Sequence, residues 1–362
     1  MKFLESIPTT ATKTKNAGND TKGFNLFVIS KILGVFPFDQ TYGYDTSWFS
    51  FSCALHLLSC ASWIGVIILL ILTDYPGSPG KYLNKALHAL SQVLNFSCII
   101  SHLVIVKQNP LFVGKLAAFT AVYEHQVFGK AISVGALLVA GRSVPIAVFR
   151  LLNANYKKMT EEILHWFSSM VRLMVIFQFC TFLVILRRKL ESHIKEMNQY
   201  KINTSAHFNM VEFMKKLNRI FGCQLLSTFC QIFIGTVANS YWFINSIVTP
   251  SEWTLRQILF SLSNLTAVIY VVFEMYVIVR TCSDALYQVE LFNVELFRLM
   301  RGSKQLCENE KLYLYATMKN SVTFTACGFF NLGYPLVTSI IAAAATYLVI
   351  LLQFSTASHK QF

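Results

Sequence analysis

Thr346-Tyr-Leu-Val-Ile-Leu-Leu-Gln-Phe354 closes an uncharged run that begins at Leu336. As a helix, Leu336 to Phe354 rises roughly 29 Å at ~1.5 Å per residue, which matches the ~30 Å hydrocarbon core of a bilayer. Ser339, Thr346 and Gln353 recur at a spacing of seven residues, and a helix brings that spacing back to nearly one face. An unsatisfied amide in hydrocarbon costs several kcal/mol. Gln353 therefore faces a water-filled passage, a neighbouring helix or the membrane interface. Ser339 and Thr346 either join it or bond carbonyls one turn back in their own helix.

Composition extends this reading to the whole chain. Hydrophobic residues make up 54% and charged residues only 14%, which is the balance of a polytopic membrane protein and not of a soluble core. The fold class is all-α, with seven transmembrane helices. Residues 1–23 are rich in Thr, Lys, Asn and Gly and read as a disordered tail without the apolar region of a signal peptide. Residues 24–38, apolar but too short to span and ended by Pro37, read as an interfacial helix.

Six spans follow within 48–279: about Trp48–Leu72, closed by the turn-rich Asp74-Tyr-Pro-Gly-Ser-Pro-Gly80, then Ala86–Val106, Ala131–Leu151, Met170–Leu186, Ile220–Ile244 and Leu255–Val279. Arg142 interrupts the third and Arg150 sits at its end. Segment 280–317 reads as an extension of the sixth helix beyond the membrane, because Leu286, Val289, Asn293, Leu296 and Met300 recur by three and four until Gly302-Ser303. Residues 318–354 read as the last helix. It is about 55 Å long if continuous, and Asn331, Gly333 and Pro335 mark a break between a cytoplasmic half and a membrane half. Residues 355–362 form a short tail.

Orientation follows from the basic residues, which cytoplasmic connections concentrate. Arg187-Arg-Lys189, Lys195, Lys201, Lys215, Lys216 and Arg219 lie between the fourth and fifth spans, and Arg280, Arg298, Arg301, Lys304, Lys311 and Lys319 between the sixth and seventh. The opposite side holds only Lys81, Lys85, Lys157, Lys158, Arg256 and Lys360. The amino terminus is thus expected inside and, after seven crossings, the carboxyl terminus outside. This is the reverse of a G-protein-coupled receptor, and neither an Asp-Arg-Tyr triplet after the third span nor an Asn-Pro-x-x-Tyr in the seventh is present.

The net charge of +13 does not imply nucleic acid, because the cations border spans, where anionic membrane lipid is the natural partner. The nine cysteines avoid the outer loops and read as reduced packing residues. The eight histidines show no metal-ligand spacing, and the chain has no Gly-x-Ser-x-Gly elbow, phosphate loop or Cys-x-x-Cys pair. No enzyme, metal or cofactor is expected. Glu274, deep in the sixth span, requires a partner that spacing alone does not identify.

The stretch TYLVILLQF, preceded by Gly328-Phe-Phe-Asn331 and ending the last of seven spans, resembles the carboxy-terminal signature of insect gustatory receptors. Leu33-Gly-Val-Phe-Pro-Phe38 also resembles the leader before their first span. The resemblance implies a ligand-gated cation channel, a homotetramer or a heterotetramer with related receptors, held together below the membrane by its helix extensions. It implies a pore lined by Ser339, Thr346, Val349 and Ile350, constricted at Gln353 and Phe354, with Tyr347 coupling the pore helix to its neighbour. Sodium, potassium and calcium are the implied permeant ions, and a small-molecule tastant the implied ligand. The resemblance places the ligand among the second to sixth spans, where Gln92, Asn95, Arg150, Asn239, Tyr241, Trp242, Ser261 and Asn264 are the candidates by depth. For each residue taken singly, an interhelical hydrogen bond or a place in an interfacial aromatic belt is the stronger account. Sugar-sensing members carry an acidic residue after the Thr-Tyr pair. Leu348 stands there, which favours bitter or deterrent detection and leaves a fructose-type receptor open. An odorant receptor needing a co-receptor is the nearest alternative. The implied location is the plasma membrane of a sensory dendrite.

Overall fold

A computed structural model describes Leu33, Val35 and residues 45–73, 79–110, 156–197, 202–248, 254–318 and 321–359. The segments expected as a disordered tail, most of an interfacial helix and the third span with Arg142 and Arg150, together with the last three residues, lie outside the described residues.

The elements are α1 (Thr46–Thr73), α2 (Pro79–Gln108), α3 (Tyr156–Met197), α4 (Thr204–Val248), α5 (Leu255–Gly302), α6 (Lys304–Cys307), α7 (Glu310–Thr317), β1 (Thr325–Ala326), β2 (Phe330–Asn331) and α8 (Tyr334–His359). Side chains suited to capping start several of these helices, because the first N–H groups of a helix lack internal partners. Asp45 Oδ1 accepts from Ser47 N at 2.8 Å, Asn203 Oδ1 from Ala206 N at 3.0 Å and Asn309 Oδ1 from Leu312 N at 3.2 Å. Thr254 and Gln257 form a reciprocal capping box on α5. Pro79 opens α2 inside the expected turn. Proline's fixed φ and missing N–H suit the first helical position.

Five described helices, α2 to α5 and α8, are long and apolar enough to cross a membrane. The first, α1, has 28 residues and no charged side chain, which gives a rise of about 42 Å. The central three exceed any single crossing: α3 has 42 residues, α4 has 45 and α5 has 48, rising about 63, 68 and 72 Å. Each expected span is therefore only part of a longer rod. Arg187-Arg-Lys189 does not stop its helix, because Arg187 pairs with Asp284 of α5 at 2.7 Å.

The main core lies among α2, α3, α4 and α5, where Phe179, Phe182, Leu183, Leu186, Phe229 and Val279 are almost wholly buried. A second cluster joins Ile194 and Met197 of α3 to Phe292, Leu296 and Met300 of α5, with Leu306, Leu312 and Tyr315 packed against it. Phe292 stacks on the His207 ring at 3.8 Å between centroids, and the His207 imidazole meets the Tyr315 hydroxyl at 2.5 Å. The three-and-four seam thus ends at Gly302, with Ser303 as cap, but its buried members are consumed within the chain. Tyr287, Val294 and Phe297 remain as the exposed apolar face of that segment.

One expectation needs correction. Among the described residues of 318–354 no helix precedes the break: residues 321–324 are non-helical and lead into a two-stranded antiparallel hairpin, with Thr325 opposite Asn331 and Ala326 opposite Phe330. Val322, Phe324 and Ala326 are buried while Ser321 and Thr323 are exposed, a period of two that belongs to strands. The turn places Cys327 at φ 51° and Gly328 at φ 78°, a left-handed conformation a continuing helix cannot contain. The hairpin docks on α4, where Asn218 Oδ1 accepts from Thr325 N at 3.0 Å and Phe229 meets Phe330 edge-on.

Candidate functional site

The hairpin ends at Gly333, and α8 starts with Pro335 in its first turn, so the expected membrane half is present as a separate helix. It rests on its own subunit through Leu336, Val337 and Ile340, all packed against the main core, and through the buried Ala344. The opposite face carries Ser339, Ala342, Thr346, Val349 and Gln353, all exposed. These positions advance by three, four, three and four and therefore form one stripe. Only 6% of the most apolar window of α8 is buried, against 72% for α3.

The hydroxyls of the stripe are satisfied locally. Ser339 Oγ donates to the Pro335 carbonyl at 2.9 Å, and Thr346 Oγ1 donates to the Ala342 carbonyl at 3.0 Å. Both hydroxyls thus bond carbonyls one turn back in their own helix and still lie on the exposed stripe. Gln353 is exposed at the far end of the stripe and Ile350 lies exposed beside it. The Phe354 side chain lies outside the described residues. Tyr347 leaves the stripe, and its ring meets Phe233 of α4 edge-on at 5.7 Å.

The expected ligand candidates fall into separate settings. Gln92 is buried on α2 and its Oε1 accepts from Ser168 Oγ of α3 at 2.8 Å. Asn95 is fully buried one turn further on, with neither amide atom hydrogen-bonded among the described residues. A second group gathers where α4 meets α5. Trp242 lies edge-on to Tyr241 and to Phe260, and Ser261 Oγ shares a 2.7 Å hydrogen bond with Ser246 Oγ. Asn239 and Asn264 donate to the carbonyls of Gly235 and Phe260 in their own helices, at 2.6 and 2.8 Å. Arg150 lies outside the described residues.

The partner of Glu274 is Arg172, a residue the sequence reading did not single out. Its guanidinium holds both carboxylate oxygens, Nη1 on Oε1 and Nη2 on Oε2, the latter at 3.1 Å. The side chains are 3% and 6% exposed. A bidentate pair at this depth joins α3 to α5 with fixed geometry. The expected spans hid the pair: Arg172 is the third residue of Met170–Leu186 and Glu274 the twentieth of Leu255–Val279, and they come level only because α3 begins at Tyr156.

Long, closely packed, apolar helices around a buried ion pair, with a poorly covered last helix, define a polytopic membrane protein, and the comparisons with known proteins narrow that class. Residues 123–358 match the family described as 7tm chemosensory receptor, and the chain belongs to that family. It is 27% identical over 178 residues to gustatory receptor 23a of Drosophila melanogaster, a stretch covering 48% of this chain and 46% of that protein. The match thus spans about half the length of that relative. The fold is that of the olfactory receptor OR5 from Machilis hrabei, solved in complex with eugenol, with a TM-score of 0.63 at 14% identity over 91% of this chain and 97% of that one. The chain is accordingly a multi-pass membrane protein of the insect chemosensory receptor family, and not an enzyme.

Proposed function

We propose that the chain is a subunit of a tastant-gated, non-selective cation channel of the plasma membrane, assembled as a homotetramer or as a heterotetramer with related receptors. The observation that carries this reading is the exposed stripe of α8. A helix with so little cover from its own subunit needs lipid or other copies around it, and lipid does not suit Gln353. Four stripes around one axis give that amide water and enclose Ser339, Thr346, Val349 and Ile350. The alanines Ala342 to Ala345 allow close approach of neighbouring helices. Hydroxyls bonded to their own backbone leave a weakly polar wall, so selectivity among sodium, potassium and calcium is low. Gln353 and Phe354 form the constriction, and Val349 and Ile350 oppose wetting of the closed passage. Tyr347 reports the position of α4 through Phe233.

A bound tastant opens the channel by binding the open form more tightly. A swing from 1:99 to 99:1 takes ~5.5 kcal/mol of differential binding, about 1.4 kcal/mol for each of four sites. The Trp242, Phe260 and Ser261 group, apolar with a few hydroxyls and amides, suits a small amphipathic ligand. Leu348 in the position after the Thr-Tyr pair supports a bitter or deterrent compound over a sugar. The fold shared with an olfactory receptor supports, as a second reading, an odorant receptor that requires a co-receptor. Expression of this chain alone in a heterologous cell, with currents recorded against alkaloids, sugars and odorants, separates the two. Gln353→Ala is expected to change basal current or relative permeability while surface delivery stays near normal. Unaltered currents at normal delivery would refute the pore assignment.

A further inference from the structure

Cys223 of α4 and Cys327 of the β1–β2 turn are both exposed, and their sulfurs lie 3.2 Å apart. A disulfide requires about 2.04 Å, so closure needs an approach of about 1.2 Å, within the range of a side-chain rotation. The backbone is arranged for this proximity. A Cβ built on Gly222 would stand 3.2 Å from Cys327 N and 3.4 Å from its Sγ, so the missing side chain beside Cys223 admits the turn. Cys327 accepts a left-handed φ of 51°, and Asn218, one turn earlier on α4, holds Thr325 by two hydrogen bonds. Partial burial of its sulfur, then the neighbouring Cys223, push the Cys327 thiol up to about 11.

We propose that Cys223 and Cys327 form an oxidisable pair that a peroxide converts to an intrachain disulfide, clamping the hairpin that leads into α8 onto α4. One of the two sulfurs, as thiolate, attacks the peroxide O–O bond, giving a sulfenic acid and, with a proton, one water. The other sulfur then displaces the sulfenic oxygen, which leaves with both remaining protons as a second water. Two thiols lose two electrons and two hydrogens, and one peroxide becomes two waters. The seven other cysteines do not share this arrangement in the described residues: Cys98, Cys180 and Cys282 are buried, and Cys307 lies exposed in α6.

The test is made on the full chain in detergent, treated with hydrogen peroxide, blocked with a maleimide and digested without reductant. Mass spectrometry is expected to show the peptide containing Cys223 joined to that containing Cys327, with loss of maleimide labelling at both and reversal by dithiothreitol. Hydrogen exchange across residues 321–333 is expected to slow several-fold in the oxidised protein and to return on reduction. Cys327→Ser is expected to abolish the link and the slowing together. Independent labelling of both cysteines after peroxide in monodisperse protein would overturn the proposal, as would a link that leaves exchange across the hairpin unchanged. Neither readout depends on conduction, so the result stands apart from the channel reading.

Discussion

Replacing Arg172 by Met leaves the Glu274 carboxylate buried among α3 and α5 without its counter-ion. Removing one member of a buried, hydrogen-bonded ion pair costs about 3–5 kcal/mol, mostly for the uncompensated charge. The pair qualifies for the upper part of that range because its side chains are 3% and 6% exposed and both carboxylate oxygens are held. At 1.4 kcal/mol per decade, the loss lowers the folded-to-unfolded ratio by about two to three and a half decades. That is a large share of a typical stability of 5–15 kcal/mol. Glu274→Leu is expected to do similar damage by stranding the guanidinium. The double variant is expected within about 1 kcal/mol of the original, since apolar residues of similar volume commonly replace such pairs without loss. Arg172→Lys is expected in between, because an ammonium does not reproduce the two-pronged grip. The assay is the fraction of detergent-solubilised receptor that elutes as one sharp peak after graded denaturant, for the two single variants, the double and the lysine variant. Single variants within about 0.5 kcal/mol of the original, or a double variant losing the sum of both, would refute the reasoning.

Two further outcomes concern the segments around this core. Gly222→Ala puts a methyl group 3.2 Å from the Cys327 backbone nitrogen and is expected to cost about 1–3 kcal/mol by overpacking. Faster hydrogen exchange across residues 321–333 would report the lifted hairpin, and unchanged exchange would count against its docking. Phe292→Ala removes a fully buried ring stacked on His207 and is expected to cost about 3–5 kcal/mol. Because it lies in the second cluster, proteolysis should accelerate first within residues 303–318, ahead of the membrane bundle.

Among the described residues, long apolar runs made the helices legible, though not their ends, and the break at Gly333 and Pro335 followed from backbone chemistry. The residues just before that break were misread as helix because Met318–Phe354 was taken as one apolar run. The alternation through Ser321, Val322, Thr323 and Phe324 was available and carried the correct period. The seam on α5 was legible as a seam, and its end at Gly302 followed from the same spacing. What it packs against was not, since three-and-four periodicity describes an intrachain core and a subunit contact equally. The exposed stripe of α8 was legible as a face. The self-bonding of Ser339 and Thr346 depends on local rotamers that spacing does not encode. Arg172 escaped notice because a charge gains meaning in a membrane only from its neighbour, and neighbours across 102 residues are a property of the tertiary fold.

The hairpin in front of α8 has a mechanical consequence. It fastens one end of a stiff rod to α4 through Asn218 and Thr325, while most of the rod has little side support from its own chain. From Gly333 to Gln353 the arm is about 30 Å long, so a tilt of about 5° at the fastened end carries the glutamine sideways by about 2.6 Å. That sweep is close to the diameter of one water molecule. Displacements too small to disturb the packed helices are thereby multiplied at the tip, and the direction of the sweep is set where the strand pair grips its neighbour.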